Sequence, residues 1–195
     1  MTRINFIRVS GWGMMLAALF LLLTFVESAD RIPFFLSAIV LITLGLVGIR
    51  ARYEEHAGNT ARIVLGVGIF GGIMAIVTHV LWQNGLDNGR ILLNLAMGMM
   101  FGDLFVFGLV AQGVKPMPRG NWLPALAGFW WVFLVISAYV IPPANRQNVP
   151  DWASYSIFLM MAFFLALLGF VLQADAQHAR VNDSPKEGAL QNGHK

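Results

Sequence analysis

Asp103 is the one acidic residue inside any long apolar run of this 195-residue chain, and no lysine or arginine falls inside those runs. A solitary carboxyl in such a setting has two uses. It is a neutral strut that hydrogen-bonds one helix to another, or it is a group that couples to a proton or cation. Thr43 and Trp130, in two other runs, are expected at the same height. A second cluster of hydrogen-bonding side chains is His79 and Asn94, with Thr24, Tyr139 and Tyr155 at a comparable height in further runs. Of these, only histidine ordinarily titrates near neutral pH.

The elements that position these groups are six apolar runs, 9–26, 33–49, 63–82, 91–111, 122–141 and 152–172. A helix of that length, rising about 1.5 Å per residue, crosses most or all of a hydrocarbon core about 30 Å thick. Only 12% of the residues are charged and 57% are hydrophobic, whereas soluble domains carry about a quarter charged residues. Six such runs leave too little polar sequence to cover them in water. The expected fold is all-α: a polytopic membrane protein with a bundle of six transmembrane helices over 1–172. Residues 173–195 are expected to form a polar, disordered tail.

Ten of the thirteen basic residues fall in alternate polar segments: Arg3 and Arg8; Arg50, Arg52 and Arg62; Lys115 and Arg119; Arg180, Lys186 and Lys195. The intervening loops carry one each, Arg31, Arg90 and Arg146. Basic residues favour the cytoplasmic side, so both termini are expected there. A cleaved leader is not expected, because Glu27 occupies the −3 position for a cut after Ala29. The net charge of +3 sits at the ends of apolar runs, so lipid head groups, not nucleic acid, are its expected counter-charge.

The segment Gly45-Leu-Val-Gly-Ile49, followed by the charged loop Arg50–Arg62 and a glycine-rich run, resembles a pattern in small bacterial membrane proteins of unknown function. The resemblance implies a bundle in a bacterial inner membrane and carries no activity with it.

Counting from the middle of each run, Asp103 stands about 3 Å to the cytoplasmic side of the midplane, Thr43 about 3 Å and Trp130 about 2 Å. An acid at that depth costs roughly 2.5–3.5 kcal/mol, so it is expected to face protein, uncharged or in a hydrated cavity. The Trp130 N–H, out of reach of the interface, is expected to donate to it. His79, Asn94, Tyr139 and Tyr155 lie about 10 Å outside the midplane. They form either a polar vestibule, or an aromatic belt plus one His79–Asn94 hydrogen bond. The pairs Gly68/Gly72 and Gly98/Gly102, on the third and fourth runs, are expected to make those two helices the central seam.

The chain has no cysteine, no His-Glu-x-x-His, no Gly-x-Ser-x-Gly and no Walker A sequence. The expectation is a non-enzymatic protein without cofactor or metal that binds or moves a small solute or ion. The alternative is an accessory subunit of a homo-oligomer or larger membrane complex. Because the chain lacks cysteine, a single introduced one is a unique label. Asp87→Cys should react with an impermeant maleimide on intact cells and Lys115→Cys only after permeabilisation; the reverse pattern would invert the topology.

Overall fold

The computed structural model describes residues 3–24, 31–53, 58–112, 120–140 and 151–183, and all regular structure among them is α-helical. The helices are α1 (Arg3–Leu23), α2 (Arg31–Tyr53), α3 (Gly58–Gln83), α4 (Gly89–Gln112), α5 (Leu123–Val140) and α6 (Asp151–Asp183). Five are long and apolar enough to span a membrane, and α5 contributes a shorter apolar stretch, Leu123–Ser137. Their outward faces are as apolar as their inward ones: Leu16, Phe70, Leu95, Leu109 and Phe163 are all exposed. Helices apolar all round belong in lipid.

Local sequence sets the helix ends. Gly85 takes φ 92°, a left-handed conformation that costs glycine nothing. The Gly85 amide then donates to the Trp82 carbonyl and the Leu86 amide to the Leu81 carbonyl, each at 3.0 Å. That pairing closes α3 with a Schellman motif and turns the chain straight into α4. Pro33 and Pro124 sit in the first turns of α2 and α5, where a missing N–H removes no helical hydrogen bond.

The helices run further than the apolar runs. Of the expected loop over 50–62, residues up to Tyr53 belong to α2 and those from Gly58 belong to α3; residues 54–57 lie outside the described residues. The expected tail begins later too, since α6 continues through Gln173 to Asp183. Leu172 and Ala176 remain buried there, and the first turns of α1 supply the partner. The tail beyond Asp183 lies outside the described residues.

The six helices form a closed ring in chain order: each packs on the next, and α6 returns to pack on α1. Met14, Leu46, Met97, Phe101 and Leu165 fill the core, and α2 and α6 approach one another across it. The α1–α6 seam is a backbone contact. A Cβ at Gly11 would stand 2.6 Å from the Gly169 carbonyl oxygen, and a Cβ at Gly169 would stand 2.5 Å from that of Gly11. Between α4 and α5, Gly128 lies against the Phe101 carbonyl and the Phe105 amide.

This arrangement corrects the central-seam expectation. The α3–α4 contact is close, but it is one seam of the ring. Gly68 and Gly72 are buried in packing, whereas a Cβ at Gly98 or Gly102 would meet nothing within 4 Å. The α4 pair lies on the outer face, with exposed Ile91, Leu95 and Leu109. Gly128→Ala should therefore destabilise the protein by ~1–3 kcal/mol through overpacking. Gly102→Ala should leave stability unchanged or raise it by up to ~1 kcal/mol, both read from equilibrium unfolding in mixed micelles.

Candidate functional site

The glycines of α3 explain where the mid-depth polar groups go. A Cβ at Gly68 would meet Asp103 Cγ at 3.0 Å, and one at Gly72 would meet Thr43 Cβ at 3.0 Å. Each glycine is thus a notch, filled by Asp103 from α4 on one side and by Thr43 from α2 on the other. The two notches lie one turn apart on α3, so Asp103 and Thr43 pack against consecutive turns of that helix.

They are not hydrogen-bonded partners. The Thr43 hydroxyl donates to its own helix at the Ile39 carbonyl, 2.8 Å away, with Met100 Sδ at 3.9 Å. Asp103 Oδ2 is buried without a hydrogen-bond partner. Trp130 Nε1 is also buried without one, so the expected Trp130–Asp103 bond is not formed. The expected pairing depends on rotation about the helix axis as well as on height. Asp103 faces α3, whereas the turn holding Phe101 and Phe105 faces α5. Trp130 instead packs edge-on against Phe129 and Phe133, with ring centroids 5.5 and 6.1 Å away.

The outer layer divides. At the ends of α1–α4 lies a cavity of about 320 Å³. Thr24, His79, Gln83, Arg90 and Asn94 supply its polar groups, and Phe35, Trp82 and Leu93 its apolar wall. His79 is 4% exposed, and neither ring nitrogen has a protein hydrogen-bond partner. The expected His79–Asn94 bond is therefore absent, though both side chains line the same space. The imidazole packs against two rings, tilted on Phe35 at 5.4 Å and T-shaped with Trp82 at 6.2 Å between centroids. Leaving a buried donor and acceptor unmet costs about 1–3 kcal/mol each. Tyr155 is exposed on α6 and does not line the cavity; the Tyr139 side chain lies outside the described residues.

A buried polar group at the opposite end was missed from sequence. Tyr53 is wholly buried; its hydroxyl donates to Asn121 Oδ1 at 2.9 Å, and its ring meets Phe107 edge-on at 4.9 Å. The buried Arg52 guanidinium lies 5.3 Å from the same ring centroid. On α1, the Arg3 guanidinium donates to the Ala51 carbonyl, tying the two helix ends together. The available signal was the stripe Ile42, Leu46, Ile49, Tyr53, whose helical spacing continues past the end of the apolar run.

With Asp103 filling a glycine notch, the two positions are energetically coupled. Gly68→Ala should cost ~1–3 kcal/mol in the otherwise native protein. In an Asp103→Ala background that cost should fall below ~1 kcal/mol, measured by the same unfolding assay; additive costs would mean that the carboxyl does not fill the notch. The chain matches no protein-family model, no curated protein and no solved structure.

Proposed function

We propose that this multi-pass membrane protein is non-catalytic and binds a small solute in the cavity at the ends of α1–α4, with His79 as the anchoring group. The observation that carries this is the His79 imidazole, buried, unpartnered by protein and lining a cavity of about 320 Å³. That volume is at the lower end for ligand pockets. The distribution of basic residues supports a reading with both termini in the cytoplasm and the cavity on the opposite face, and the resemblance to small bacterial membrane proteins supports an inner-membrane location. Asp103, seated on Gly68, serves as a packing post between α3 and α4, and the coupling role falls to second place.

A structural or accessory subunit is the second reading. The open outer face at Gly98 and Gly102 favours it, since small residues on a lipid-facing surface let another helix approach closely.

A thermal-shift screen of the purified protein against small anions, cations and neutral polar solutes separates the two readings. One solute class should raise the unfolding temperature of wild type in a concentration-dependent way, and His79→Phe should lose the response. If no class stabilises wild type, the accessory reading takes its place.

A further inference from the structure

Among the described residues, the only formal charge lining the cavity is positive. Arg90 presents a guanidinium at the rim, and among the described residues it has no acidic partner. Asn94, one turn deeper on α4, and Gln83, at the end of α3, offer amide N–H donors beside it. The buried His79 adds a ring N–H without a protein acceptor. Among the described residues, no aspartate or glutamate lines the space. The Thr24 hydroxyl is already committed to the Leu21 carbonyl at 2.6 Å. A convergence of donors around one fixed positive charge suits an anion.

The remaining wall suits a hydrocarbon. Phe35, Trp82 and Leu93 line it. Leu81 and Leu92, the sequence neighbours of Trp82 and Leu93, are exposed, as side chains on a lipid-facing surface are. An apolar chain can therefore leave sideways into the bilayer while its head stays at the helix ends, the depth at which head groups lie.

We propose that the cavity takes an anionic amphiphile, a single carboxylate or phosphate head on an apolar chain. The head rests on Arg90, Asn94 and His79, and the chain lies along Phe35, Trp82 and Leu93. This rests on the cavity being a binding site at all.

Trp82 in the wall gives a direct probe. Bromodecanoate, with its bromine beside the carboxylate, should quench a saturable part of the tryptophan fluorescence of the purified protein. Trp82→Phe should remove that part. Arg90→Gln should raise the half-quenching concentration at least about tenfold, the loss expected for a hydrogen bond to a charged group. Arg90→Lys should restore much of it. Arg90 is exposed, so neither change disturbs the core. Decyl phosphate should compete, and its strength against decanoate tells which head the cavity prefers.

Equal quenching by the matching bromodecanol, with no effect of Arg90→Gln, would overturn the anionic head while leaving a solute site in place. Equal competition by inorganic phosphate and decyl phosphate would overturn the role of the chain. If no saturable quenching depends on Trp82 while a small solute still raises the unfolding temperature through His79, the amphiphile proposal fails and the site stands; if neither is seen, both fail.

Discussion

In a bilayer, lipid tails are as apolar as leucine, so burying side chains between helices releases no water and brings little cohesion. What remains is contact: helices stay together where backbones come close enough for many weak dispersion attractions to add up. The Gly11–Gly169 contact between α1 and α6 is where this matters most for the architecture. Every other seam joins helices that adjoin in the chain, which their connections hold near one another. The α1–α6 seam alone joins the two ends. A side chain at either glycine would push the first and last helices apart and open the ring on one side. The burial of Leu172 and Ala176, and with it the inner extension of α6, depends on the same contact.

Polar groups inside this bundle are treated in three ways. Thr43 turns its hydroxyl back onto its own helix and fills a glycine notch; Asp103 fills the adjacent notch with one oxygen unmet. At one end, Tyr53 reaches Asn121, meets Phe107 edge-on and lies beneath the Arg52 guanidinium. At the other end, His79 is clasped by aromatic rings while both nitrogens lack protein partners. Asp103 and His79 are alike in burial but not in surroundings. Protein fills the space beside the carboxyl on the α3 side, whereas the imidazole borders a cavity. That difference makes His79 the better functional candidate, although an intramembrane acid draws the eye first.

Hydropathy alone revealed six helices, because each must be apolar on every side to live in lipid. It did not reveal their ends, since apolarity reports contact with hydrocarbon and a helix continues wherever another helix supports it. Hence α6 runs on past Leu172, which meets α1 at Gly11, to Asp183, and α2 runs on to Tyr53 beneath Phe107. Rise per residue gave expected heights along each helix; Asp103 and Thr43 meet consecutive turns of α3, and His79 and Asn94 line one cavity. Rotation about each axis was not legible, and it separates Trp130 from Asp103 and turns Gly98 and Gly102 outward. Two identical glycine spacings, on α3 and α4, met different fates because a spacing says which residues share a face but not which way that face points.

The circular order of the helices has a consequence for how the protein is made. Membrane helices enter the bilayer singly and associate afterwards, and chains emerge N-terminus first. Each new helix from α2 to α5 finds its ring neighbour already inserted. The face of α1 that carries Gly11 must wait until α6 leaves the ribosome. Through most of synthesis the nascent protein is an open arc with an unpartnered leading edge. The last helix to arrive is therefore the one that ends this exposure, and loss of α6 would leave the rest inserted but unclosed.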